Sequence, residues 1–168
     1  FLTILLFGRK LGDPKAGYFA TAMGAASFAV TGGVFFDLMS LSAEERSGQT
    51  QRLFSWVVSG SLHVDLAFLA DPLSLTMCLF VTGIGSLIHL YAVGYMRGDP
   101  RFSKFFLYLN LFAFSMLMLV LGSNMLVTFL GWECVGACSY FLIAFWHEKS
   151  SAATAGTSGL RGVNTIRP

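Results

Sequence analysis

The run MLVTFLGWECVGACSYFLIAFW, Met125 to Trp146, decides how the chain is read, because it is long, almost wholly apolar, and has a carboxylate in its middle. A helix needs about 20 mostly apolar residues to cross roughly 30 Å of hydrocarbon, and this run supplies them. Glu133 stands within about 4 Å of its centre at 1.5 Å of rise per residue, too deep for a short side chain to reach either surface. On insertion scales a charged group there costs about 2.5–3.5 kcal/mol.

The rest of the chain has the same character. Of 168 residues, 55% are hydrophobic and 12% charged, and 17 are phenylalanine, far from the quarter-charged composition of soluble domains. The mean hydropathy is +0.67. Three further spans are read at 17–41, 73–96 and 103–121, with a partial helix at 1–8. Asp71-Pro72 is a start signal for the third of the five segments, since aspartate caps free amides and proline suits the first helical position. Gly122, Ser123 and Asn124 break the chain between the last two spans, which therefore form a helical hairpin. The fold class expected is all-α and integral to the membrane, with about four transmembrane helices. The long connection at 42–70 differs: Leu62, Val64, Leu66 and Phe68 alternate with His63, Asp65 and Ala67. Period two indicates a strand, and Ser59-Gly60-Ser61 would turn it back on Phe54 to Val58 as a small β-hairpin at the membrane surface.

Charge tests this topology. Net charge is +2, from 11 basic and 9 acidic residues, without a basic block or an aromatic-basic weave, so no nucleic-acid partner is expected. With four spans, the connectors at 9–15, 97–104 and 147–168 share one side. They hold nine of the eleven basic residues, leaving Arg46 and Arg52 in the hairpin loop. The positive-inside rule places the nine-residue side in the cytoplasm or an organellar matrix, which suits a bacterial plasma membrane, or alternatively an organellar inner membrane. Tyr91, Tyr95, Trp56 and Trp146 fall near span boundaries, as an aromatic belt would.

Cys78, Cys134 and Cys138 all lie in apolar runs and are read as small fillers. Cys134 and Cys138 share a helix face, but a closed metal site needs two more ligands, and neither a metal nor a resident cofactor is expected. Asn110 and Ser115 offer hydrogen bonds between helices. His89 is either a hydrogen-bonded packing residue or a member of a proton relay, and Asp37, near a helix end, reaches interfacial water.

Glu133 has two readings. Gly136 and Ala137, one turn on, leave room for a neighbouring helix or water, and Tyr140 offers a hydroxyl farther along the same face. A permanently neutral acid there would act as glue between helices. Alternatively, desolvation favours the neutral acid and a nearby cation favours the carboxylate, so a partner that moves switches the proton on and off.

Three segments carry a resemblance: DPLSLTMCLFVTGIGSLIHLYAVGYM (71–96), RFSKFFLYLNLFAFSMLMLVLGSN (101–124) and GWECVGACSYFLIAFW (131–146). Together they resemble the L-type subunits of NADH-quinone oxidoreductase, respiratory complex I, over about residues 17–156. The resemblance implies an antiporter-like proton-translocating subunit of about sixteen helices, of which this chain would be the N-terminal part. Other membrane-arm subunits would be its partners, and NADH, FMN, iron-sulfur clusters and quinone would sit on other subunits. It also implies that Glu133 lies on the proton path, paired with a lysine on a later helix, while His89 and Tyr140 are relay candidates only. The A-type subunit of a multi-subunit cation/proton antiporter shares this pattern and is the alternative, beside a purely structural membrane protein.

The chain departs from the family at Cys134, where glycine is usual, and at Ser123, where aspartate is common. From Thr157 it reads TSGLRGVNTIRP instead of a lysine-rich helix start, so 157–168 is expected to be a divergent tail beyond a membrane domain at 1–156. A sequencing or reading-frame slip, or a degraded gene copy, would account for that. The absence of an initiator methionine suggests a piece of something longer.

Overall fold

The computed structural model describes residues 1–42, 46, 49–59, 62–148, 151–152 and 154–158. Within them the order is α1 (Leu2–Leu11), α2 (Lys15–Ser40), β1 (Gln49–Ser59), β2 (Leu62–Ala70), α3 (Pro72–Tyr95), α4 (Phe102–Leu121) and α5 (Met125–Ile143). Helices α2 to α5 have 26, 24, 20 and 19 residues, or about 28 to 39 Å at 1.5 Å per residue. Each can cross a bilayer. This is an integral membrane protein. Only 6% to 28% of an apolar 18-residue stretch in each span is buried within the chain, so most of the apolar surface needs lipid or further protein around it.

Sequence expectation and structure agree on every span, with ends that differ by up to three residues. Helix α1 carries on through Arg9 and Lys10, good helix formers that need not stop a helix. Helix α5 stops at Ile143 instead of Trp146 because the next residues are claimed from outside. Trp146 Nε1 donates to Asp99 Oδ2 at 3.2 Å, and the Arg101 guanidinium lies over the Phe145 ring, 5.3 Å from its centroid.

The start of α3 follows from its sequence. Asp71 caps Ser74 N at 2.6 Å, and Ser74 Oγ accepts from Asp71 N at 2.9 Å, a reciprocal box with Pro72 at the first helical position. These hydrogen bonds hold the Asp71 carboxyl below its ordinary value of 3.8. At the other end of the preceding span, Arg46 donates from Nε to Leu41 O at 2.7 Å and from a terminal nitrogen to Met39 O at 2.6 Å. A cation therefore closes the C-terminus of α2, where carbonyls and the helix dipole favour positive charge.

The hairpin is antiparallel, pairing Gln49 with Ala70 and Ser59 with Leu62, with irregularities between Arg52 and Phe54 and between Ser55 and Val57. It is longer than the Phe54–Val58 pairing expected. Gly60 and Ser61 of the expected turn lie outside the described residues. Burial does not follow the simple alternation: Val64 and Ala67 are buried, whereas Leu66 and Phe68 are half-buried. The reason is a tertiary contact. Ser123 N donates to Ala67 O at 3.2 Å and Phe68 bridges to Gly122, so β2 lies against the backbone of the α4–α5 turn, and a methyl group is small enough there.

Asn124 secures that junction from both sides. Its Oδ1 accepts from Val127 N at 3.0 Å and caps α5, while its Nδ2 donates to Asp65 O at 2.8 Å.

The opposite end gathers the basic connectors. Asp13 Oδ2 accepts from Gly98 N at 2.7 Å, Ser103 Oγ donates to Gly8 O at 2.8 Å, and Arg101 pairs with Glu148 at 3.4 Å. Beneath them the core of Ala16, Ala20, Val93, Met96, Phe102 and Phe106 is closed. Gly98 has a φ of +84°, a conformation open to glycine at little cost. The connectors at 9–15 and 97–104 and the residues just after α5 thus share one end, and the hairpin occupies the other, as the four-span topology requires. Most of the tail expected to diverge, 159–168, lies outside the described residues.

Candidate functional site

Glu133 sits at the middle of α5, as its sequence position requires, but no helix among the described residues covers it. Val127, Gly131 and Cys138 form the buried face of α5 against α4. At 100° per residue Glu133 projects roughly 140° round the helix from that face and is exposed. Leu126, Phe129 and Trp132 beside it are 46%, 51% and 49% exposed. Ala137 is exposed too, and a Cβ placed on Gly136 would meet open space. The free volume foreseen beside the carboxyl is present. The burial is not supplied by these five helices.

What fixes the depth and direction of the carboxyl is the seam between α4 and α5. A Cβ built on Gly131 would lie 2.6 Å from Leu119 N and 2.7 Å from Leu119 Cα, so the helices meet backbone to backbone two residues before Glu133. Only glycine allows that approach. Its role in site geometry is the signal that composition and hydropathy miss. Cys138 is buried on the same seam with its sulfur 3.9 Å from Ser115 Oγ, while Cys134 is half-buried. Both act as small packing groups.

The relay candidates are not brought together. Tyr140 is two turns from Glu133 along α5, half-buried beside Phe141, and the space a Cβ on Gly156 would need is bounded by its ring. His89 is 3% exposed on α3. Helices α3 and α5 do not pack on each other, and α4 stands between them, so the described residues provide no direct path from His89 to Glu133. His89 bonds Gly85 O through Nδ1 at 2.7 Å, and its Nε2 is buried without a partner. Asn110, expected to join helices, instead donates to Phe106 O of its own helix at 2.9 Å; Ser115 bonds Leu111 O of its own helix at 2.8 Å and also meets Cys138 Sγ of α5 at 3.9 Å, the contact between helices that its sequence position suggests.

The fold and the mid-span carboxylate define a polytopic helical membrane protein with an acidic side chain exposed at mid-span. Comparison with known proteins is specific. Residues 56–106 match the family model described as NADH-ubiquinone oxidoreductase (complex I), chain 5 N-terminus, and residues 122–161 match that described as NADH:quinone oxidoreductase/Mrp antiporter, TM. The chain is 44% identical over 152 residues to NADH-quinone oxidoreductase subunit L of Mycobacterium tuberculosis, an alignment covering 90% of this chain and 24% of the relative. It is 50% identical over 106 residues to subunit L of Escherichia coli, covering 62% and 17%. It is 41% identical over 155 residues to NADH-ubiquinone oxidoreductase chain 5 of Allomyces macrogynus, covering 92% and 24%. The chain belongs to this family, the antiporter-like membrane subunits of complex I. It spans about a quarter of the length of the curated relatives it matches most fully.

Proposed function

We propose that the chain is part of the proton-translocating L-type subunit of an NADH:quinone oxidoreductase, with Glu133 as its proton-carrying group at mid-membrane. The observation that carries this reading is the open face of α5: a carboxyl at span centre, flanked by the open space at Gly136 and turned away from the helices of the described residues. A carboxyl left against lipid would cost several kcal/mol, so the face is built to be covered by protein. The relatives are about four times as long as this chain, and their additional length is where the covering helices and a cationic partner would reside. Such a partner favours the carboxylate when near and releases the proton equilibrium when it withdraws.

The chain itself would carry no redox centre. Electron transfer elsewhere in the assembly would drive proton movement through charge rearrangement along the membrane arm, with the other membrane-arm subunits as partners. A bacterial plasma membrane suits the charge layout, with the nine-residue basic side in the cytoplasm. The alternative in a cation/proton antiporter is kept in view by the second family model, whose description covers both classes. Similarity to subunit L over nine-tenths of the chain favours complex I.

The test is Glu133→Gln in the full-length subunit of the assembled complex. Proton pumping is expected to be lost while the complex still assembles. Pumping at the wild-type ratio of protons to NADH refutes the role.

A further inference from the structure

A cleft of about 230 Å³ lies between α1, α2, α3 and α4, and its wall includes Ser27, Thr82, Ser86, His89 and Asn110. These residues come from three different helices, α2, α3 and α4, and none of them lies on α5 with Glu133. The cleft is unlike the larger groove between α2 and α3, whose wall is mostly Phe, Leu, Ala and Gly.

The hydrogen bonding of its wall is one-sided. Ser27 Oγ donates to Met23 O at 3.0 Å, Thr82 Oγ1 to Cys78 O at 2.6 Å, and Ser86 Oγ to Thr82 O at 2.6 Å. Each hydroxyl has only one proton, so the hydroxyls are left with lone pairs alone. His89 extends the pattern. Gly85 O can only accept, so the bond at 2.7 Å requires the proton on Nδ1, and in the neutral ring Nε2 is then an acceptor. It is buried and has no partner. Asn110 donates one amide hydrogen to Phe106 O at 2.9 Å and retains a second hydrogen and its carbonyl oxygen.

A buried acceptor without a donor costs about 1–3 kcal/mol, and neither of the wall's uncommitted donors, the second Asn110 amide hydrogen and the Thr3 hydroxyl, bonds His89 Nε2. Water corrects this. It brings two donors, can accept from the remaining Asn110 N–H, and needs two to four polar partners. At about 30 Å³ per molecule the cleft has room for more than one. The geometry points to an internal water site between α1, α2, α3 and α4, in which a bound water donates to His89 Nε2 and links it to the hydroxyls of α2 and α3. It makes His89 a hydrated, proton-accepting position in the membrane, independent of Glu133.

Two measurements on the assembled full-length complex test this. In a structure at water-resolving resolution, density for water is expected within hydrogen-bond reach of His89 Nε2. A direct Asn110–His89 bond, or an apolar side chain or lipid tail filling the cleft, overturns the proposal. The second measurement compares Ser86→Cys with Leu87→Cys, adjacent in depth: Ser86 borders both the polar cleft and the apolar groove, whereas Leu87 borders the groove and not the cleft. A small hydrophilic thiol reagent reacts with the thiolate, which forms only where water stabilises it. Ser86→Cys is expected to be modified faster by about tenfold or more, one pKa unit of thiolate, over the wild-type background from the native cysteines. Equal rates, or no modification of either, overturn it. Glu133 takes part in neither measurement, so the result stands apart from the proton-carrying role proposed above.

Discussion

Replacing Gly131 by alanine should disturb the site without touching its carboxyl. The added methyl would sit 2.6 Å from Leu119 N and 2.7 Å from Leu119 Cα, where ordinary contact begins at 3.4 Å. The obstacle is helix backbone on α4, which cannot rotate away as a side chain could, so the seam has to open by about 0.8 Å. Overpacking of this kind costs about 1–3 kcal/mol. Because Glu133 is two residues along the same helix, it moves with the seam, and a displacement near 1 Å can lower rates about 100-fold where a proton must meet a positioned partner. The assay is paired: thermal stability of the assembled complex carrying Gly131→Ala, and proton pumping per NADH oxidised. Lower stability with impaired pumping is expected, and Gly131→Ser should behave alike. Unchanged melting and coupling would show that α4 and α5 do not meet backbone to backbone, and the placement of Glu133 would lose its structural basis.

Other outcomes follow from single contacts. Asn124→Ala removes the α5 cap, worth about 1 kcal/mol, and the bond to Asp65 O, worth about 0.5–1.5 kcal/mol more. Faster proteolysis within 49–70 than in wild type is the readout, and equal rates would refute the dual role. Asp71 contributes in the opposite pH direction from a histidine. Its folded carboxyl titrates below 3.8, so its support for α3 is complete above the unfolded value and is lost as pH falls through the folded one. Amide exchange at residues 72–75 should therefore lose protection in acid, and Asp71→Asn should flatten that loss. Arg52 and Asp65 pair at 3.0 Å with side chains 60% and 34% exposed, so a double-mutant cycle should return no more than about 1 kcal/mol.

The spans were legible because the membrane imposes one rule on every residue, and a run such as Leu73 to Met96 satisfies it regardless of what packs beside it. The N-terminus of α3 was equally plain, since Asp71, Pro72 and Ser74 act within one turn. Sidedness followed from where the lysines and arginines fall, and the contacts of Asp13 with Gly98 and of Trp146 with Asp99 agree with it. What sequence did not carry were orientations set by distant backbone. Alternation in β2 predicts Leu66 and Phe68 as the inward pair, yet the α4–α5 turn claims Ala67. Asn110 has an amide suited to a neighbouring helix, but its own helix offers a carbonyl closer at hand. The same limit applies to Glu133: its depth is a matter of counting, whereas its bearing around α5 depends on Gly131 meeting Leu119.

The double engagement of Asn124 has a bearing on biogenesis. The strand it fastens is synthesised first, and its anchor lies 59 positions later in the chain, beyond two membrane crossings. Until the α4–α5 turn reaches the far surface, the carbonyls of Asp65 and Ala67 have only solvent to satisfy them. Insertion of the helical pair and seating of the ribbon thus become one event, and a ribbon protected from proteases reports that both crossings are complete.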